Sequence, residues 1–377
     1  MKILAITPTY YPHIGGIEQV VYQLCRHSRA HGIAMDVAHV ATQFKHPVQT
    51  VIDGVCVHQL PLHGHRLLGL APGLGRIARD YDLLHVHDPQ LTAITTNVRL
   101  FCGNLPAVLS THGGFRHTAT LSAFKALFEK TLLRPALGHY RAILASSPGD
   151  LTYFGQFSPR VVSCGNGIDM ASFAVAPGGP PRPLTRWIYW GRLSRNKRVD
   201  LVIDYAAHAR ATGFPVDLLI CGRDFEGLAE GLKAKVASLG LAEAIRFVPF
   251  LSQEELRAEI ATRGVAVTAT EHEGFGLSTV EALAAGLLVV CRDMAPLNHF
   301  ITDANGLHLA FDQSERDRAQ LTTFLSRAPA QVDAMRAAAL TMAATYDWGR
   351  VIEGYLEQYR LALPRQARSG SLPHRAA

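Results

Sequence analysis

Short apolar runs of four to six residues recur along this chain, each followed by a longer helical pattern, and that alternation leaves few folds open. The first series of candidate strands is Lys2–Thr7, Met35–Val40, Leu83–His87, Ala107–Ser110 and Ala142–Ser146. A second series runs through Trp187–Trp190, Val216–Cys221, Ile245–Phe250, Val265–Thr270 and Leu287–Cys291. Strands that alternate with helices build parallel sheets covered on both faces. Two such series predict two doubly wound, Rossmann-like α/β domains. The break between them falls at 165–186, where Ala176-Pro-Gly-Gly-Pro-Pro-Arg-Pro183 is the densest Pro/Gly cluster and reads as a linker. Residues 364–377 lack apolar periodicity and read as a disordered tail.

With 377 residues, 48% hydrophobic and 18% charged, the chain is long and apolar enough for two cores. Six widely spaced cysteines include no C-x2-C pair, which disfavours a zinc site and fits a reducing cytosol. The start, Met1-Lys-Ile-Leu-Ala-Ile6, reads as a strand and not as a signal peptide, and no apolar run nears the ~20 residues of a membrane span. Charge is lopsided. Residues 1–168 hold 14 Lys+Arg against 8 Asp+Glu and 13 of the 18 histidines, whereas residues 169–377 hold 23 of each sign. The basic half predicts an anionic partner there: acidic lipid, a phosphorylated acceptor or nucleic acid. No zinc-finger or RNA-recognition signature accompanies it, so nucleic acid is set aside.

The richest chemistry lies in Glu271-His-Glu-Gly-Phe-Gly-Leu-Ser-Thr-Val-Glu281. An apolar strand enters it and a short helix from about Ser278 leaves it. Glu273 and Glu281 flank a glycine-bearing turn at the carboxyl end of the strand, the edge where open α/β sheets bind ligands. Gly274 and Gly276 permit close backbone approach, and a helix amino terminus aims N–H groups at an anion. The layout suits a phosphorylated, hydroxyl-rich ligand. Against this stands a structural alternative: Ser278-Thr-Val-Glu281 has capping-box spacing, so Glu281 could simply close the helix start.

Other strand ends carry candidates. Gly15-Gly16 follows the first strand as a phosphate-cradling turn, without the G-x-G-x-x-G of a dinucleotide site. His112, in Ser110-Thr-His-Gly-Gly114, sits at a carboxyl edge, and Ser147 ends the next strand. Asp80-Tyr-Asp82 precedes its strand, on the wrong side for a metal pair. In His85-Val-His-Asp88, alternation puts His85 and His87 on one face, the more tempting metal cluster.

The Glu-x7-Glu spacing around Gly-Phe-Gly, followed by Glu-Ala-Leu-Ala-Ala-Gly286, resembles the signature of the retaining glycosyltransferases of family 4. So do Tyr10-Tyr-Pro-His-Ile-Gly-Gly-Ile-Glu18, Ser110-Thr-His-Gly-Gly114 and Trp190-Gly-Arg-Leu-Ser-Arg-Asn-Lys197. Cys221-Gly-Arg-Asp224 departs from the family's commoner Gly-x-Gly and receives no contact. The resemblance implies the GT-B fold, two Rossmann-like domains facing a cleft. Residues 1–168 with a returning helix 345–363 would bind the acceptor, and 169–344 the sugar nucleotide. It further implies that Arg192 and Lys197 hold the diphosphate and Glu281 the ribose. Amides of Gly274, Phe275, Gly276 and Leu277 would reach the sugar and its phosphate, with Glu273 beside the sugar. His112, near the donor sugar, and the Gly15-Gly16 turn would complete the site. No metal or other cofactor is implied, and Arg195 and Arg198 are read as surface residues.

Within the family, the Glu-His-Glu-Gly-Phe-Gly-Leu-Ser form and the Tyr-Pro-His-Ile-Gly-Gly opening are most similar to bacterial exopolysaccharide α-mannosyltransferases. These move mannose from GDP-mannose to a polyprenyl-diphosphate-linked cellobiose. UDP-glucose or UDP-N-acetylglucosamine with another acceptor stays open, as does a sugar-nucleotide binder without catalysis. The segment 115–144 places Lys130, Arg134 and Arg141 on one helical face opposite Leu121, Phe124, Phe128 and Leu132, with Pro135 expected to kink it. That pattern predicts docking on an anionic membrane, peripheral to its cytoplasmic face.

Overall fold

The structure, a computed structural model, describes residues 1–11, 15–88, 92–113, 131, 133–175, 179 and 181–364. It divides into two compact units: Met1–Gly167 together with the chain from Trp348, and Ile168–Asp347.

The first unit holds an eight-stranded sheet. Its strands are β1 (Lys2–Thr7), β2 (Ala34–Ala41), β3 (Val48–Ile52), β4 (Val55–Pro61), β5 (Leu83–His87), β6 (Ala107–Ser110), β7 (Ala142–Ala145) and β8 (Val161–Ser163), in the order β3-β4-β2-β1-β5-β6-β7-β8. All pairings are parallel except β3 with β4, a hairpin turned by Asp53-Gly54. Leu4, Ile6, Val86, Leu109 and Ile143 pack one face against Val98 and Leu137. Burying each such side chain stabilises the unit by ~1.5–3 kcal/mol.

The second unit holds six parallel strands, β9 (Arg186–Trp190), β10 (Asp217–Cys221), β11 (Ile245–Val248), β12 (Val265–Thr268), β13 (Leu288–Arg292) and β14 (Gly306–Leu309), in the order β11-β10-β9-β12-β13-β14. Successive side chains point to opposite faces. Trp187, Tyr189, Val265 and Val267 therefore meet Val202, Leu321 and Phe324, while Ile188, Ala266 and Val289 meet Val280, Leu283 and Ala339. Apolar residues at consecutive positions are what a sheet covered on both faces requires.

The last described helix, Trp348–Ala362, packs within the first unit. Its Trp348 ring fills the space where Gly167 has no Cβ and stacks on His27 at 5.6 Å. Tyr355 Oη donates to the Gly165 carbonyl (2.8 Å), and Tyr359 Oη lies 2.8 Å from His85 Nδ1. No helix among the described residues is long and apolar enough to cross a membrane. The ten expected strands are all present, three with the expected bounds and the rest with ends shifted by one or two residues. β3, β4, β8 and β14 were not expected, and all but β4 are sheet edges. Residues 114–130 and 132, most of the expected membrane helix, lie outside the described residues, as does the tail 365–377. Pro135 lies in the first turn of the helix Arg134–Gly138, directly after the π-helical Thr131 and Leu133, and most of the helix it was expected to kink lies outside the described residues.

Candidate active site

β9 and β12 are neighbours, yet the chain leaves β9 toward β10 and β11 and leaves β12 toward β13 and β14. The turns after these two strands therefore diverge at a topological switch point. The turn after β9 carries Arg192 and Lys197, and the turn after β12 carries Glu271 to Leu277.

Asn196 fastens the two turns. Its carbonyl accepts from Glu271 N (2.8 Å), and its Nδ2 donates to the His272 carbonyl (3.0 Å). Thr270 Oγ1 donates to that same carbonyl at 2.8 Å. Beside this staple, Lys197 Nζ sits 2.5 Å from Glu273 Oε2, both side chains being mostly covered. Arg198, in the left-handed region at φ 46°, grips Asp200 through two bonds and Glu271 through a third at 2.6 Å. The expectation that Arg198 is a solvated surface residue is thereby corrected: its charge tethers the same turn. Arg195 is 86% exposed.

Arg192 is exposed, with its guanidinium over the Phe225 ring at 5.9 Å and its carbonyl accepting from Tyr189 Oη at 2.8 Å. Burial raises the Tyr189 phenol, Glu273 raises it further and Arg192 opposes, so both charges lie within reach of one hydroxyl. Gly222 keeps the turns after β9 and β10 together, because a Cβ there would collide with the Gly191 carbonyl oxygen. Asp224 is engaged in the turn before the helix Ala229–Ser238, accepting from Glu226, Leu228 and Ala229.

The helix Leu277–Ala284 starts from Gly276, whose left-handed φ of 93° suits glycine and which makes no side-chain cap. The capping box open to Ser278 and Glu281 does not form, since the helix begins one residue earlier. Glu281 Oε2 instead accepts from Trp190 Nε1 at 3.1 Å. Desolvation raises the Glu281 carboxyl, and the indole bond only partly offsets it. The Phe275 side chain turns inward, edge-on to Phe300 (5.1 Å) and Tyr346 (5.8 Å), so only its backbone faces the turn. Gly274 lies between Glu273 and this anchor, partly exposed.

The first unit has its own switch point, at β1 and β5. Gly15 precedes the helix Gly16–Ala30 after β1, and the Glu18 carboxylate folds back over it. A phosphate at Gly15-Gly16 would have to displace that carboxylate. His112 follows β6, and its Nε2 lies 3.0 Å from His87 Nδ1 at the end of β5. His85 has both ring nitrogens engaged, by Ser110 Oγ and by Tyr359 Oη at 2.8 Å each, which leaves no lone pair for a metal. Burial lowers His85 to about 3 and His112 to about 4, and lowers His87 well below its ordinary value.

Asp150 secures the His112 turn. Its Oδ2 accepts from Thr111 Oγ1 (2.5 Å), Ser146 Oγ (2.9 Å) and Gly113 N (3.2 Å). Ser147 is used as the N-cap of the helix Pro148–Gly155, accepting from Asp150 N. Sequence reasoning missed Asn196 and Asp150. Asp150 stands three residues after an N-capping serine, a pattern that signals a helix start but not a tether.

Two parallel-sheet units define the class, the second with a cationic turn and a Glu-x7-Glu turn tied together at its switch point. The chain belongs to family 4 of the glycosyltransferases, with the GT-B fold. The family described as Glycosyltransferase Family 4 matches residues 14–172, and that described as Glycosyl transferases group 1 matches residues 180–340. The chain is 29% identical over 377 residues to the GDP-mannose:cellobiosyl-diphosphopolyprenol alpha-mannosyltransferase of Komagataeibacter xylinus, covering 97% of this chain and 94% of that protein. The enzyme of the same name from Xanthomonas oryzae pv. oryzae is 28% identical, with 97% and 98% covered. Among solved structures, sucrose-phosphate synthase from Thermosynechococcus elongatus superimposes with a TM-score of 0.76 at 18% identity, covering 98% of this chain and 100% of that one.

Proposed function

We propose that this glycosyltransferase moves mannose from GDP-mannose onto a polyprenyl-diphosphate-linked cellobiose, with retention at the anomeric carbon and without a metal. The observation that carries the reading is the stapled pair of switch-point turns, in which Asn196 bonds Glu271 and His272 while Lys197 meets Glu273. Arg192 and Lys197 supply positive charge for a departing diphosphate, and the amides at the start of the helix Leu277–Ala284 add to it. Glu281 takes the ribose hydroxyls. Glu273 holds Lys197 in place, touches the sugar hydroxyls and steadies positive charge at the anomeric carbon. His112 and the Gly15-Gly16 turn are the parts of the first unit assigned to the donor.

In the step itself the bond from the anomeric carbon to the phosphate oxygen breaks. The acceptor oxygen bonds to that carbon from the same face, and its proton passes to the leaving diphosphate. The two relatives named above act, by their names, on GDP-mannose and cellobiosyl-diphosphopolyprenol, which supports this donor and acceptor over UDP-sugars.

A lipid-linked acceptor calls for a membrane-facing surface, and one stretch of the first unit supports that reading. Buried Asn97 clamps the loop before the helix Gly73–Ala78, donating to the Gly69 carbonyl (2.8 Å) and accepting from Ala71 N (2.6 Å). Leu68 (81% exposed) on this loop and Leu100 (60%) on Asn97's own helix stand out among the exposed apolar side chains. Arg66, Arg76, Arg79 and Arg99 are exposed on the same segments, and no acid occurs within 62–79 or 92–106. Exposed leucines among unopposed cations fit an anionic bilayer.

The test is a thermal-shift screen of GDP-mannose, UDP-glucose, UDP-N-acetylglucosamine and ADP-glucose, followed by transfer assays on cellobiosyl-diphosphopolyprenol. Binding to the folded state raises its apparent stability, so GDP-mannose should give the largest shift. GDP should appear only when acceptor is present. A larger shift with a UDP-sugar overturns the donor, and binding without turnover overturns catalysis. Cosedimentation that is equal with neutral and anionic vesicles removes the membrane surface.

A further inference from the structure

We infer that His87 is a positioning residue that fixes His112 as its Nδ1–H tautomer, so that His112 serves as a neutral hydrogen-bond donor and not as a base. The inference rests on the proposed function only in taking His112 to meet the donor.

A neutral imidazole has one N–H and one lone pair. His87 is wholly buried, its Nδ1 lies 3.0 Å from His112 Nε2, and its Nε2 is buried with no hydrogen-bond partner among the described residues. One proton therefore lies between the two rings, and it has two possible owners. If His112 owned it, the His87 proton would sit on Nε2, leaving a buried N–H with no acceptor. If His87 owns it, what stays unpartnered at Nε2 is a lone pair. Orphaned buried donors are rarer than under-used acceptors, so the second arrangement wins. A charged His87, with both nitrogens protonated, is disfavoured by burial and by His85 and His112 beside it. His85, its ring 4.1 Å away, is already satisfied by two hydroxyls that can each donate or accept, so it imposes no competing demand.

His112 Nε2 then accepts from His87, and the His112 proton resides on Nδ1. In water the free side chain prefers the opposite tautomer, so the protein overrides an intrinsic preference. An Nδ1–H donor can bond a sugar hydroxyl or a phosphate oxygen. It cannot take the acceptor's proton, in keeping with a diphosphate that leaves with that proton.

The experiment is long-range 15N–1H NMR of the full chain labelled at histidine, with His112 assigned by the loss of its signals in His112→Gln. Near neutral pH, His112 Nδ1 should show a pyrrole-type and Nε2 a pyridine-type nitrogen shift. His87→Phe keeps a flat aromatic ring and removes the donor; it should move the His112 proton to Nε2 and lower kcat by about tenfold, the worth of one hydrogen bond, with little change in the donor KM. His87→Asn, whose amide can reach the Nδ1 position, should keep the Nδ1–H form. A protonated Nε2 on His112 in the wild type overturns the inference, as does an unchanged tautomer in His87→Phe. Should His87→Phe not fold, the wild-type spectrum decides alone. Full transfer by His112→Gln would remove His112 from the proposed function while leaving the tautomer assignment standing.

Discussion

At the carboxyl edge of the second unit's sheet, Lys197 faces Glu273 and Arg198 faces Glu271 and Asp200, charge against charge. At the corresponding edge of the first unit, three clustered histidines are kept neutral by burial, and the fastening is done by Asp150 on two hydroxyls and an amide. The same scaffold, a parallel sheet with ligand-facing turns, is thus finished in two ways. One edge carries paired charges, which the proposed function assigns to a diphosphate. The other presents buried neutral imidazoles, and the inferred tautomer would turn that of His112 toward a hydroxyl as a hydrogen-bond donor.

The largest expected effect lies on the charged edge. Glu273→Gln should keep donor affinity near wild type and lower transfer by roughly 10²–10³-fold, the range seen when one preorganised electrostatic group is lost. Steady-state kinetics beside calorimetric donor binding check this, and undiminished transfer would break the contrast by removing Glu273 from the chemistry. Next is Gly222→Ala. The new Cβ would force the turns after β9 and β10 apart, and urea unfolding should show a loss of about 3 kcal/mol. Unchanged stability would mean that the Arg192 turn is not held by this contact.

The third prediction sets the edges against each other in acid. The ordinary histidine value is 6.5, and burial lowers His85 to about 3 and His112 to about 4. The unfolded chain binds these protons first. The stability that neutral burial contributes is therefore complete above pH 6.5 and is lost progressively as pH falls toward about 3. Hydrogen exchange at mildly acid pH should open β5 and β6 before β9 and β12; the reverse order would contradict it. The smallest effect concerns Glu281, whose carboxyl is raised by desolvation above 4.5. Its contribution is present below the unfolded value and is lost as pH rises through the folded one. Glu281→Gln should therefore gain in Tm over the wild type as pH rises from acid toward neutral. A constant difference would mean that the carboxyl is not desolvated.

Much of the fold could be read from pattern, because interior strands such as Leu83–His87 and Val265–Thr268 are buried on both faces and stand out as apolar runs. What escaped is mainly edge. Val48–Ile52 is exposed along nearly its whole length and mixes Gln49 and Thr50 with valines, so it shows no buried face, although Asp53-Gly54 between two short runs was a usable hairpin signal. Val161–Ser163 and Gly306–Leu309 are three and four residues long, too short to show a period. The candidate site was visible where chemistry and glycine coincide, as in Glu273-Gly-Phe-Gly276. Its fastenings were not. Asn196 and Asp150 act through geometry between segments distant in sequence, and an asparagine or aspartate in a turn looks the same whether it staples two loops or faces water.

The central claim is that the switch-point edge of the second unit grips an activated sugar by its diphosphate. A crystal structure of the protein with GDP bound tests it most directly. The account predicts diphosphate oxygens within hydrogen-bond distance of Arg192 and Lys197, with the ribose on Glu281. GDP bound away from these residues would contradict it.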